Sequence, residues 1–291
     1  MISMIYFKKL SFFRGCILGL LAALLSSLAM ADLMLYPTRV EMEKNQRAAQ
    51  VELVNRGQTP ESYRISVVNR RMTETGQIVP ADTAGPDERF AAQMLRYSPR
   101  QVTLKAGESQ TVRISLRKPA GLANGEYRSH LQFDRLPDVE GSSDIAQAVN
   151  PEQDQIAIRL TALIGASIPV IVRHGDTSAN VTLDTLSLEP GVKVDGQAEG
   201  PPLLVFHMNR SGNRSVYGNL LATYTSAGGQ LMDVGKVNGV AVYVPNALRT
   251  AKLPLGLPEG LKLKGGLIQL TFSQRPEDGG KPLAQASLAV P

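Results

Sequence analysis

The chain has 291 residues, with 31 Lys and Arg against 26 Asp and Glu, a formal net charge of +5, one cysteine and no tryptophan. This length holds one large or two ordinary domains with real hydrophobic cores. A lone cysteine excludes a disulfide framework, and so small a net charge gives no nucleic-acid footprint.

Residues 1–31 read as a secretory signal peptide. Lys8, Lys9 and Arg14 form a basic start, Cys16 to Leu28 an apolar core, and Ala29-Met30-Ala31 a small-residue cleavage site. The apolar core is too short, and too close to that site, for a membrane span. Cleavage would leave a chain from Asp32 with no cysteine, which rules out thiolate catalysis and thiolate metal sites. It would also remove three basic residues and no acidic ones, so much of the net positive charge belongs to the presequence.

Beyond Asp32 the pattern is β throughout. Alternating runs at Ala49–Leu53, Tyr63–Val68, Thr111–Leu116 and His130–Asp134 predict strands, separated by turn signals at Asn55-Arg56-Gly57, Lys105-Ala106-Gly107 and Ala123-Asn124-Gly125. The segment Pro137–Gln155 is polar and acidic without periodicity, which predicts a long loop or disorder. Then comes Ile156–Arg173, IAIRLTALIGASIPVIVR, in which every even position to Val172 is apolar. Period-two patterning of that length predicts a strand about three times the usual five or six residues. Either it is buried in its own core, or its apolar face projects and is meant to be paired. Pro169 cannot donate to a ladder and predicts an edge or bend there. After a polar turn at His174–Asn180 the pattern restarts at Val181–Leu188, Leu203–Met208, Tyr217–Tyr224, Gly239–Val244, Leu267–Phe272 and Ala284–Val290. No amphipathic stretch of three helical turns stands out. The expected fold is all-β, two immunoglobulin-like β-sandwich domains over 32–173 and 174–291.

Catalytic and metal chemistry is not legible. His130, His174 and His207 have no metal-ligand spacing, and there is no G-x-S-x-G elbow or phosphate loop. Asp144, Glu152 and Asp154 cluster in the polar loop, where acids are ordinarily just solvated. Asn209-Arg-Ser and Asn213-Arg-Ser match glycosylation sequons but read better as a hairpin turn. The expectation is no enzyme, no cofactor, no metal and no nucleic-acid partner.

Four ordered segments carry a resemblance. LMLYPTRVEMEKNQRAAQVELVNRG (Leu33–Gly57), SPRQVTLKAGESQTVRISL (Ser98–Leu116), GEYRSHLQFDRLP (Gly125–Pro137) and the long run with its preceding loop are together similar to the pilus-assembly chaperones of the chaperone–usher pathway. The resemblance spans the first domain and is much weaker over the second. It implies a periplasmic, L-shaped pair of sandwiches with a cleft between them. It further implies capture of pilin or fimbrial subunits by donor-strand complementation, delivery to an outer-membrane usher, and a free form that can cap itself as a homodimer.

Matched to the family, the donor positions are Leu160, Ala162 and Ile164, with Ile156 and Ile158 extending toward the loop. Burying the four larger side chains would contribute on the order of 6–12 kcal/mol before ordering costs. Arg39 of Pro37-Thr38-Arg39 falls on the arginine of a basic pair that, in the family, grips the subunit's C-terminal carboxylate. The second member, a lysine, has no match, because Pro169 stands at its position. That departure implies a divergent, archaic-like branch. Arg128 is either the substitute cation or an ordinary exposed strand arginine. The competing function class is an immunoglobulin-like structural or adhesive cell-surface protein, which has no need of a long apolar edge strand.

Overall fold

The computed structural model describes residues 33–43, 45–137, 165–191, 200–258, 261 and 263–291. The first half contains β1 (Leu33–Tyr36), β2 (Val40–Met42), β3 (Ala48–Asn55), β4 (Glu61–Val68), β5 (Arg70–Met72), β6 (Ile78–Pro80), β7 (Leu95–Ser98), β8 (Gln101–Leu104), β9 (Ser109–Leu116), β10 (Gly125–Arg135) and β11 (Gly165–His174). They form two facing sheets, β1-β3-β9-β7 and β2-β11-β10-β4-β8, plus a separate hairpin of β5 and β6. The alternation in the sequence is what closes this sandwich. Val51 and Leu53 of β3 and Val112 and Ile114 of β9 point inward, and meet Ile65 of β4 and Leu131 and Phe133 of β10.

The second half contains β12 (Ala179–Glu189), β13 (Leu203–Gly212), β14 (Val216–Thr225), β15 (Leu231–Val242), β16 (Leu248–Pro254), β17 (Leu267–Ser273) and β18 (Pro282–Ala289). Its sheets are β12-β13-β16 and β15-β14-β17-β18. Along β14, alternate residues are buried, and Leu220, Ala222 and Tyr224 enter a core with Phe206, Leu253, Leu270 and Phe272. The two cores share no residue. The chain is therefore two β-sandwiches, as the turn spacing predicts, and among the described residues the helices are 3-10 turns at Ala92–Met94 and Pro276–Asp278. The Asn213 of the second sequon lies in the β13–β14 connection, where its side chain takes the Ser178 amide and gives to the Asp176 carbonyl.

A third, small apolar cluster joins the domains: Met72 from β5 and Ile171 from β11 pack on Ala241 and Tyr243 of the second domain. The β5–β6 hairpin reinforces the joint. The Met72 carbonyl accepts from Asn246 Nδ2 at 3.0 Å, and the Glu74 carbonyl accepts from the Thr250 amide at 2.8 Å.

The long apolar run is described only from Gly165 onward. The candidate donor residues Ile156, Ile158, Leu160, Ala162 and Ile164 lie outside the described residues, as does 138–164 generally. What is described fits the alternation. Ile168, Val170 and Val172 enter the first core. Antiparallel β10 flanks β11 along its length, whereas the parallel partner β2 begins only at Val170, opposite Val40. Pro169 thus marks the end of the second neighbour, and 165–169 is a sheet edge among the described residues.

Candidate functional site: a buried arginine pair between the sandwiches

The site begins with the pleat of β10. Tyr127, Leu131 and Phe133 face the first core, so Glu126, Arg128 and His130 share the opposite face and look toward the second domain. Across the ladder, Glu126 is paired with Arg173, Arg128 with Ile171, and His130 with Pro169. On the other side of β11, Val40 pairs with Val170, which brings Arg39, one residue earlier, to the end of that pairing. Arg39 and His130 therefore flank the proline that stands where the family resemblance expects a lysine.

Glu126 is the fixed point of this face. Its side chain is 0% exposed and accepts from Arg173 Nε at 3.1 Å. It also accepts from the amide and the hydroxyl of Ser215, in the second domain. Arg173 further binds Glu41 at 3.1 Å and Glu43, and Glu43 accepts from Arg214 of the second domain at 3.3 Å. Burial would raise the Glu41 carboxyl, but the Arg39 and Arg173 guanidiniums beside it outweigh that and hold it below its ordinary value. The same acids raise Arg173 against the opposing effect of its burial.

The two sequence-nominated arginines come together here. Arg39 is 7% exposed and Arg128 5% exposed. The reading of Arg128 as an ordinary exposed arginine is thus overturned: domain docking covers a strand face that a single sandwich would leave in water. Arg39 donates from Nε to Glu41 and from Nη1 to the Tyr243 hydroxyl at 2.8 Å. Its Cζ lies 4.3 Å from the Tyr217 ring centroid and 5.3 Å from that of Tyr243. Arg128 stacks on the other partner, with Cζ 4.1 Å from the Tyr243 centroid.

Several polar atoms at this point are buried and have no hydrogen-bond partner among the described residues: the donors Arg39 Nη2 and Arg128 Nε and Nη1, and the ring nitrogen His130 Nδ1. Burial depresses Arg128, with Arg39 adding to it and Tyr243, Glu126 and Glu88 opposing. Burial, then Arg128, Arg70 and Arg39, push His130 down to about 3, so it is neutral at ordinary pH. Buried donors without acceptors are costly unless something supplies the acceptor. Two guanidiniums with free N–H edges are suited to an oxyanion with two acceptor oxygens, above all a carboxylate. Among the described residues no group of three His, Cys, Asp or Glu is arranged to hold a metal ion.

Sequence reasoning nominated Arg39 and Arg128 but not Tyr217, Tyr243, Arg173 or the Glu126 network, which the structure places around them. The alternation of Glu126, Arg128 and His130 on one strand face was a usable signal for part of it. The tyrosines carried none, since each reads as an ordinary strand residue in its own domain.

No family model matches the sequence, and no curated protein matches it. Several solved structures do. The chain is 12% identical to the YadV chaperone, with a TM-score of 0.41, covering 89% of this chain and 100% of that one. It is 15% identical to a chain of the CsuC–CsuE chaperone–tip adhesion subunit pre-assembly complex from the archaic chaperone–usher Csu pili of Acinetobacter baumannii, with a TM-score of 0.43, covering 89% and 98%. It is 16% identical to a chain of the Salmonella enterica SafA pilin–SafB chaperone complex, with a TM-score of 0.41, covering 91% and 99%.

Proposed function

We propose that this protein is a non-enzymatic periplasmic chaperone that holds pilin or fimbrial subunits by lending them a strand, and passes them to an outer-membrane usher. The observation that carries the reading is the arginine pair: Arg39 and Arg128, both buried at the joint between the sandwiches, have unpartnered guanidinium nitrogens beside β11. A subunit strand that pairs along the free edge of β11 and ends at the joint would bring its terminal carboxylate to those donors. The backbone ladder would supply affinity, the apolar positions Ile156 to Ile164 would fill the subunit's groove, and the carboxylate would set register. The signal-peptide pattern of residues 1–31 supports export, and the four ordered sequence segments support the pilus-chaperone assignment.

The test is co-expression with a pilin-like subunit lacking its last strand, followed by purification from the periplasm. A stable one-to-one complex is expected, lost when the subunit's C-terminal residues are removed. A subunit that is equally soluble and protease-resistant without this protein overturns the reading and favours a structural or adhesive surface role.

A further inference from the structure

We propose that Tyr243 and Tyr217, both from the second domain, are positioning residues that hold the arginine pair of the first domain in register for a carboxylate. The grip would then exist only when the two domains are docked. The inference rests on the carboxylate reading above and assigns the part the second domain plays in it.

Arg128 has no side-chain hydrogen bond or ion pair among the described residues that would fix it; its defined contact is the face of Tyr243 at 4.1 Å. A long side chain without such a contact spreads over many rotamers. Arg39 has Glu41 on Nε, but Nη1 is held by the Tyr243 hydroxyl and its flat face is covered by Tyr217 at 4.3 Å. Tyr243 therefore touches both arginines at once, one by its ring and one by its oxygen.

Stacking suits this task because of the shape of the guanidinium. Its five N–H groups lie in the plane, so a ring on its face fixes it and excludes water without consuming a donor. A carboxylate in the tyrosine position would fix it too, but would neutralise it and occupy the donors a ligand needs. The Tyr243 hydroxyl is raised by burial against the lowering effect of Arg39 and Arg128, so it stays uncharged. It can accept from Arg39 without competing as an anion.

Arg39 lies in the β1–β2 connection and Arg128 in β10, while Tyr217 lies in β14 and Tyr243 directly follows β15. The Glu126–Ser215 and Glu43–Arg214 contacts hold these two sets at a fixed distance. Carboxylate selectivity would thus be a property of the joint, absent from either sandwich alone.

The full chain is tested with an alternating valine–threonine hexapeptide ending in a free carboxylate, and with the same peptide amidated, by calorimetry. Wild type should prefer the acid by about tenfold or more. Tyr243→Ala should bring the acid-to-amide ratio close to one while amide affinity stays unchanged. Tyr243→Phe, which keeps the ring and loses the bond to Arg39, should fall between. Tyr217→Ala, at a half-buried position, gives an independent reading if Tyr243→Ala does not fold, and should lower the ratio as well. An unchanged ratio in these variants, or acid and amide affinities falling together, overturns the positioning role while leaving the carboxylate reading intact. A wild-type protein that binds neither peptide, or both alike, overturns the carboxylate reading and this inference with it.

Discussion

Glu126 and Ser215 meet across the domain joint: the carboxylate of the first accepts both the amide, at 3.1 Å, and the hydroxyl of the second. The same carboxylate accepts from Arg173 on the neighbouring strand. One buried acid therefore fixes the ladder between β10 and β11 and the seating of the second sandwich.

Removing Arg173 should expose how much depends on that acid. Arg173→Ala leaves Glu126 buried with only Ser215 as a named partner, and breaking a buried pair from one side costs about 3–5 kcal/mol. Scanning calorimetry should show the first domain unfolding at lower temperature and separately from the second. A single cooperative transition at the wild-type temperature would show that the network contributes little to docking.

The donor assignment is tested by a pair of substitutions four residues apart. Ile168 is buried in the first core, so Ile168→Asp places a charge there and should abolish folding. Ile164→Asp should leave the fold intact by circular dichroism and abolish subunit capture. If Ile164→Asp also unfolds the protein, that residue belongs to the protein's own core and the lent segment ends before it.

Arg39 and Arg128 should act as one unit on a bound carboxylate. Each change to Ala is expected to weaken subunit binding by roughly 2–5 kcal/mol, as for one partner of a buried interfacial charge pair. The double mutant should lose clearly less than the sum of the two. Additive losses would place the arginines on separate contacts. Arg39→Ala also strips a partner from Glu41, so the stability of the free protein should drop, in contrast to the near-neutral effect of losing an exposed arginine.

The pH dependence of stability should carry the signature of His130. The folded state keeps this imidazole neutral down to about pH 3, whereas an unperturbed imidazole protonates near 6.5. Between those values the unfolded chain binds more protons, so stability falls as pH falls across that window, by on the order of a few kcal/mol in all. Glu41, held below its ordinary value, stabilises above the usual carboxylate range and loses that contribution as it protonates, which steepens the acid end. Urea unfolding at several pH values should show His130→Gln with a shallower decline than wild type between pH 6.5 and 4. Parallel curves would mean that the imidazole is hydrated in the folded protein.

Much of the fold was legible because half-buried strands write their faces into the sequence with period two. The runs at Ala49–Leu53, Tyr63–Val68 and Leu203–Met208 fall inside β3, β4 and β13. The pattern fails where the ladder is irregular. β15 begins at Leu231, eight residues before the run read from Gly239, because its pairing with β14 shifts register twice and four consecutive residues, Lys236 to Gly239, are not buried. The short β5–β6 hairpin was not foreseen either, since three-residue strands carry no measurable period.

For the site the division is sharper. The sequence by itself determined the β class, the two sandwiches and the nomination of Arg39 and Arg128, because these depend on local alternation and on motifs contiguous in the chain. Only the tertiary structure decided that both arginines are buried, that His130 and Arg39 flank Pro169, and that Tyr243 reaches Arg39 from 204 residues away. Alternation tells a strand which face is inward to its own core. It carries no information about what a second domain lays against the outer face, and that contact is what buries Arg39 and Arg128 together.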